Sequence, residues 1–448
     1  MRTSRIALAC LTLGLFLPQP ALAAPEEPDG GEQDLFSITV DAKGYQPYRI
    51  AVGEPFGNDL PLGKFVREIT VNNLRIATAF KVLKDTTYPR AWRDQAFNPE
   101  VAKWRHIGAQ GLILGEVKVS GEQAAFTFKL WDFERGLTPE LERTYNAPRK
   151  NARYVVHQWC NAVMQHFTRV PGAFGTRIAF VASPTPTLKV VHTMDHDGHD
   201  LLRISQEKSL NILPSWSPDG REIIFTSYVR RNPDLYRVTA LGGVLPKRVS
   251  KRLGLNSGAV YSPDGTRVAL TLTKDGDSEI YLLDPKQVSR YGWVTAKRLT
   301  NHPGIDTSPT WSPDGRQIAF VSNRYGNPQL WVMNTDGTDK KRLTRRGYYN
   351  QTPAWCPMKD SKLIAFTSRK NSRFSIFTYH TTMGTYRRIT SSSQGNNEEP
   401  TWAPNCQLIA FASSRGGIWV SNQDGTAQTQ IYKGRALQPR WGPWATQR

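Results

Sequence analysis

One five-residue pattern recurs through the C-terminal half of the chain and constrains its fold more than any other feature. It reads Trp216-Ser217-Pro218-Asp219-Gly220, Tyr261-Ser262-Pro263-Asp264-Gly265 and Trp311-Ser312-Pro313-Asp314-Gly315. Looser copies follow at Trp355-Cys356-Pro357 and Trp402-Ala403-Pro404, with a last stub at Trp441-Gly442-Pro443. Successive copies start 45, 50, 44, 47 and 39 residues apart. That is the repeat length of a four-stranded propeller blade. Proline presets φ and glycine accepts positive φ, so each Pro-Asp-Gly makes a tight turn between two strands.

Each copy continues alike. In the third, residues 317–321 alternate as a strand, 322–328 form a polar loop, and 329–333 alternate again. An Asp336-Gly337 turn and a last strand at 341–344 follow. Period-two alternation bounded by turn residues is the strand signal. The strand after the turn occurs six times, around Phe180, Phe225, Leu270, Phe320, Phe366 and Phe411. The first has no Trp-Ser-Pro before it, and the Trp441 stub has no such strand after it. The stub is therefore expected to supply the missing strand of the blade that begins at Arg177. The fold class expected is a small α/β domain followed by a six-bladed all-β propeller, closed by a blade shared between its two ends. Closure also removes exposed sheet edges.

Ahead of the repeat, residues 1–23 read as a signal peptide. Arg2 and Arg5 precede an apolar run at 6–17, Pro18 and Pro20 break it, and Ala21-Leu22-Ala23 is a cleavage site near Ala23. The run is too short to span a bilayer, so the expectation is an exported, periplasmic protein without a membrane span. Residues 24–34 form an acidic tail. Residues 35–170 form the α/β domain, with strands at 36–40 and 49–52, a helix at 62–80 and a strand starting at 80–83. A hairpin is expected at 111–119 and 124–131, turning at Ser120-Gly121. Val156, Cys160, Val163, Met164 and Phe167 share one face of a further helix. Residues 171–448 are the propeller.

The formal net charge is +20, and it is unevenly placed. Residues 24–170 carry 19 basic and 18 acidic side chains, and residues 171–448 carry 37 and 20. A propeller this basic attracts anions. Export and the lack of a nucleic-acid-binding motif argue against nucleic acid. After signal removal three cysteines remain, too few for a disulfide framework. Cys356 and Cys406 are free to pair, though their spacing does not require it.

No Gly-x-Ser-x-Gly elbow, Walker loop or dinucleotide fingerprint is present, so no catalytic residue or cofactor is expected. The sharpest metal candidate is Asp195-His196-Asp197-Gly198-His199-Asp200. Its Asp-Gly falls where Asp336-Gly337 and Asp424-Gly425 fall in other repeats, so it reads as a turn, and no metal is expected. The repeated tryptophans read as packing between blades. Binding residues belong in the loops that vary. Two loop sets share one face. Those entering the Trp strands hold Asn256, Ser257, Asp306, Asn350, Gln351, Glu398 and Glu399. Those after the Phe strands hold Arg230, Arg231, Arg324, Arg373 and Arg415. They are the candidate partner-binding residues of a monomer.

The run Trp104-Arg105-His106-Ile107-Gly108-Ala109-Gln110-Gly111-Leu112-Ile113-Leu114-Gly115-Glu116-Val117 and the junction Gly172-Ala173-Phe174-Gly175-Thr176-Arg177-Ile178-Ala179-Phe180-Val181 carry a family resemblance. With the order signal, α/β domain, propeller, the chain resembles the TolB family of the Gram-negative Tol-Pal envelope system. The resemblance implies a periplasmic protein whose propeller mouth binds the lipoprotein Pal and whose N-terminal segment engages TolA or another inner-membrane Tol protein. It implies a role in outer-membrane integrity and invagination at division. The fifth and sixth repeats depart from the pattern by lacking the turn glycine, and no clear copy of the TolA-binding segment is visible. A cell-wall glycan-binding propeller and a propeller enzyme are the competing classes.

Overall fold

A computed structural model describes residues 46–206, 209–289, 292–293 and 296–444. The signal, the acidic tail, the strand expected at 36–40 and the segment expected to meet TolA lie outside the described residues.

The N-terminal sheet is built from β1 (Tyr48–Val52), β2 (Phe56–Gly57), β3 (Phe80–Val82), β4 (Gly111–Ser120), β5 (Gln123–Asp132) and β6 (Leu141–Pro148), with α1 (Leu60–Ile76), α2 (Val101–His106) and α3 (Ala152–Thr168). Strand order is β3-β1-β4-β5-β6, with β2 pairing beside β4. β1 runs parallel to β3 and β4, and β4, β5 and β6 form an antiparallel meander. Helix α1 starts earlier than the pattern suggests, because the Asp59 side chain accepts a hydrogen bond from the Leu62 amide at 3.0 Å and caps it. It ends at Ile76, where Thr78 turns left-handed (φ 60°) and the chain passes into β3. Helices α1 and α3 cover one sheet face with Val66, Leu74, Val156 and Trp159, all buried to within 2%. Trp159 stacks on Phe128 at 5.2 Å. Each such side chain contributes roughly 1.5–3 kcal/mol. The other face is covered by Tyr88, Trp104 and their neighbours packing on Leu112, Leu114 and Trp131.

Six four-stranded antiparallel sheets follow. In blades 2 to 6 the innermost strands are Asn211–Trp216, Asn256–Tyr261, Asp306–Trp311, Tyr349–Trp355 and Asn397–Trp402. Blade 1 has Arg177–Ala182, Val190–Asp195 and Leu202–Arg203, and its inner strand is the C-terminal Ala436–Trp441. The register pairs Leu437 with Val181 and Trp441 with Ile178.

The repeated residues do repeated packing. Phe180, Phe225, Leu270, Phe320, Phe366 and Phe411 are each at most 1% exposed. Three tryptophan indoles tie their blade to the one before: Trp216 donates to the Arg440 carbonyl at 2.9 Å, Trp311 to Val260 at 3.1 Å and Trp402 to Ala354 at 3.0 Å. In the turns, Ser217 bonds Asp219, Ser262 bonds Asp264 and Ser312 bonds Asp314. Where the fifth and sixth repeats lack the glycine, Asp360 (φ 63°) and Cys406 (φ 55°) take the left-handed conformation. Cys406 also forms a disulfide with Cys356, Cα to Cα 5.7 Å, joining blades 6 and 5.

Candidate functional site: the open end of the propeller channel

An antiparallel four-stranded blade puts its first and third turns at one end. Its second turn and the link to the next blade lie at the other. The N-terminal domain occupies the first end. There, Asn405 in the first turn of blade 6 donates to the Pro171 carbonyl at 3.0 Å. The third turn of blade 1 is the Asp195–Asp200 stretch singled out as a metal candidate. Its groups are taken up between domains. Arg153 of α3 bonds Asp195 and Asp197, and Arg177 bonds Asp195 at 2.9 Å and Asp200. Asn73 of α1 lies between two buried histidines, its amide Nδ2 3.0 Å from His157 Nδ1 and its Oδ1 3.2 Å from His196 Nε2. Burial pulls the His157 pKa down to about 2, helped by His196, and that of His196 down to about 4. Burial acts to raise the Asp197 carboxyl, but His196, Arg153 and His157 outweigh it and hold it below the usual carboxylate range. Among the described residues, no group of three or more His, Cys, Asp or Glu is placed to hold a metal ion.

The opposite end is open. Its centre is a cavity of about 120 Å³ bounded by the innermost strands. Each of these strands shifts register once. At each shift one residue is left-handed: Leu213 (φ 54°), Gly258 (61°), Ser308 (53°), Thr352 (50°), Glu399 (59°) and Gln438 (53°). Five of the six precede proline, at Pro214, Pro309, Pro353, Pro400 and Pro439. A bulge bends the strand and re-aims its side chains, and a left-handed residue before proline is a strained choice that surrounding structure must hold. All six bulge residues except Gln438 line the cavity.

The cavity is two-sided. Blades 2 to 4 offer Leu213, Leu255, Ala259, Ile305 and Pro309; blades 5, 6 and 1 offer Tyr349, Gln351, Arg369, Phe374, Glu398, Glu399 and Arg440. The Arg369 guanidinium stacks 4.1 Å from the Tyr349 ring centre. Glu399, 4% exposed, accepts from the Gln438 amide, while its own amide donates to Thr367 at 2.9 Å. Burial and the neighbouring Glu399 push the Glu398 carboxyl up to about 8, against the pull of Arg369. The site thus gathers acidic, basic and apolar side chains from different blades around one small opening.

The candidate residues divide. Ser257, Gln351, Glu398 and Glu399 line the cavity. Asn256, Asp306 and Asn350 are fully buried, not loop residues. They sit at the start of the inner strands, where two of them tie their blade to the one before: Asn256 accepts from Ser250 of blade 2 at 2.7 Å and Asn350 donates to Gln329 of blade 4 at 2.8 Å, while Asp306 pairs with Arg324 of its own blade at 2.7 Å. That pairing holds Arg324 against its blade too. Arg230, Arg231, Arg373 and Arg415 are exposed and stand around the opening. Tyr349, Arg369, Phe374 and Arg440 were missed. The Pro two residues before the closing Trp of the inner strand, in five of the six copies, marks the bulge, and it was the available signal.

This is a propeller whose variable end surrounds an open cavity, held by its constant end to an α/β domain. Comparison with known proteins gives the family. The TolB beta propeller domain matches residues 164–445 and the TolB amino-terminal domain residues 36–137. The chain belongs to the TolB family. The Tol-Pal system protein TolB of Anaeromyxobacter dehalogenans (strain 2CP-C) is 35% identical over 285 residues, 62% of each chain. That of Rickettsia prowazekii (strain Madrid E) is 30% identical over 253 residues, 54% of this chain and 56% of its own. The alignments thus span less than two thirds of these relatives. The crystal structure of TolB from Acinetobacter baumannii superposes with a TM-score of 0.77 at 26% identity, covering 89% of this chain and 97% of that one. Among the described residues no helix is long and apolar enough to cross a membrane.

Proposed function

We propose that the protein is a non-catalytic periplasmic adaptor of the Tol-Pal system that binds Pal at the open channel mouth. The observation that supports this most is the mouth itself: residues from five or more blades converge on one opening, at the end the N-terminal domain leaves uncovered. Convergence lets one small segment meet side chains far apart in sequence. The charges on its rim favour recognition and orientation over bulk affinity. The N-terminal segment ahead of β1 engages TolA or another inner-membrane Tol protein, and the two contacts together serve outer-membrane integrity and its invagination at division. Surface plasmon resonance of soluble Pal tests the mouth. Gln351→Trp plugs the cavity, and Arg230→Glu/Arg373→Glu reverses charge beside it. Both are expected to keep the wild-type melting temperature and weaken Pal by roughly tenfold or more. Lys247→Glu, on the outermost strand of blade 2, is the control. Unchanged affinity in both mouth variants places the contact elsewhere, and capture by purified peptidoglycan without Pal supports the glycan-binding class instead.

A further inference from the structure

The two ends of the propeller differ in charge. At the end that meets the N-terminal domain the turns are mixed: Asp219, Asp264, Asp314, Asp284, Asp336 and Asp424 stand beside the exposed Arg221, Arg316, Lys359, Lys362 and Lys286. The open end is basic. Arg230 and Arg231 crown blade 2, Lys370 and Arg373 crown blade 5, and Arg415 crowns blade 6, all exposed. The links between blades add Lys251, then Arg345 and Arg346, then Lys433 and Arg435, also exposed. Against these, the described open-end loops carry two exposed acids, Asp275 and Asp277. Asp275 is already engaged by Lys274 and by Tyr281 at 2.6 Å.

The same end carries exposed apolar and aromatic side chains on its loops. Val229 is 44% exposed, Leu253 86%, Tyr325 61% and Tyr348 61%. Tyr325 is held upright by stacking on Trp331 at 5.5 Å. These four belong to blade 2, the link after it, blade 4 and the link after that. They form two pairs, each on one blade and the link that follows it, and do not share one groove. A protein epitope would be matched by a cluster. A ring of bases and apolar tips around a propeller end is matched by a plane. Basic residues near an anionic leaflet and apolar side chains reaching its headgroup region are the two components of peripheral membrane binding.

We propose that the open end of the propeller docks on an anionic phospholipid surface through this ring. The ring lies outside the cavity, but it shares Arg230 and Arg373 with the proposed Pal contact, so the two proposals are told apart by the channel variant and not by those arginines. Basic loops hold the propeller axis upright on the leaflet, and Leu253, Tyr325 and Tyr348 meet the headgroups. Attraction extends over a Debye length of ~8 Å at physiological salt, so only the loop tips contribute.

Vesicle co-sedimentation tests this with the full mature chain. The probes are vesicles of phosphatidylethanolamine with phosphatidylglycerol, and vesicles of phosphatidylcholine alone. The wild type is expected to sediment with the first and not the second, and to be released by added salt. Arg230→Glu/Arg231→Glu/Arg345→Glu/Arg346→Glu should reduce binding by roughly tenfold or more, and Leu253→Ser/Tyr348→Ser by less. Leu241→Ser/Leu245→Ser removes exposed apolar side chains at the opposite end and should change nothing. Gln351→Trp, which plugs the mouth, should also leave vesicle binding intact, so failure of the Pal reading and failure of this one are separable. Equal sedimentation with both vesicle types overturns the proposal. So does equal loss in the Leu241→Ser/Leu245→Ser control, full retention by the fourfold reversal at an unchanged melting temperature, or affinity only for an acidic protein.

Discussion

The two ends of the propeller are made from the same strands and differ in almost everything else. At the end facing the N-terminal domain, three blades repeat one turn bond for bond: a serine hydroxyl on an aspartate, and the amide after the turn back onto that serine at 2.9 Å. At the open end the loops vary in length and sequence from blade to blade, with only blades 3 and 4 matching in length, and the side chains converge on a cavity or stand out from it. Where every blade solves one local problem, the residues are alike; where the blades jointly face something outside, they diverge. Changes at the constant end should therefore act on stability and spare binding, and changes at the open end the reverse.

The largest expected break in this comparison comes from the seam. Truncation after Gln438 removes Pro439, Arg440 and Trp441 from the strand that completes blade 1. It deletes the Trp441 indole, which donates to Thr176 at 2.8 Å, and the Arg440 carbonyl that receives Trp216. Loss of one buried tryptophan destabilises by roughly 3–5 kcal/mol, and the unpaired strand adds to it. The melting temperature should fall sharply by calorimetry; an unchanged value means that blade 1 does not need its C-terminal strand. Next is the Cys356–Cys406 disulfide, at a sequence separation of 50. Closing a loop of that size stabilises by about 2–4 kcal/mol. Cys356→Ser/Cys406→Ser, or reductant on the wild type, should lower the melting temperature without altering Pal affinity. Loss of affinity at an intact fold breaks the division between the ends.

Much of this was legible before the structure, and the residues show why. The strand-turn-strand pattern is local, so the blade count could be read from Trp, Pro-Asp-Gly and Phe positions alone. In the N-terminal domain β6 went unread because none of its side chains is buried and its sequence shows no alternation. Helix α2, six residues long, has one buried residue, Trp104. At the site, Glu398 and Gln351 were found because they lie beside a repeat, but Arg369 and Arg440 reach the channel through strand bulges and register. Asn256, Asp306 and Asn350 were mistaken for loop residues for the same reason: their polarity satisfies buried backbone and neighbours, which sequence alone does not distinguish from solvent exposure.

The domain junction offers a smaller, pH-dependent effect. His157 and His196 are held neutral in the fold, with pKa values near 2 and near 4, against about 6.5 when unfolded. Below that value the unfolded chain binds protons that the folded chain refuses, so stability present above pH 6.5 is lost as pH falls. The groups facing the pair are Asp197, Arg153 and His199. At about one pH unit below the unfolded value the loss is of order 2 kcal/mol for two groups. His196→Gln should be less stable than wild type at neutral pH yet fall more gently between neutral pH and about pH 5 in urea unfolding. Parallel curves exclude the histidine pair as the source. Pal affinity, read at the other end, should track neither.

The smallest effect isolates the constant end most cleanly. Asp264 accepts from the Ser262 hydroxyl at 2.5 Å, the Thr266 amide at 3.0 Å and the Thr266 hydroxyl at 2.9 Å. The Ser262 bond first, then the Thr266 amide and hydroxyl, hold its carboxyl below the ordinary range. A depressed carboxylate stabilises above its unfolded pKa, and that contribution disappears as pH falls through the folded value. The group is largely solvated, so screening keeps the effect modest. Asp264→Ala removes three bonds but leaves Pro263 and the left-handed Gly265 (φ 69°) to shape the turn. The expected cost is about 1 kcal/mol, with the difference from wild type vanishing in acid. The matched substitution at the open end is Arg373→Glu, expected to leave the urea midpoint unmoved and to slow Pal association in a salt-dependent way. If Asp264→Ala weakens Pal as much as Arg373→Glu does, the two ends are coupled through the blades and the division between them fails.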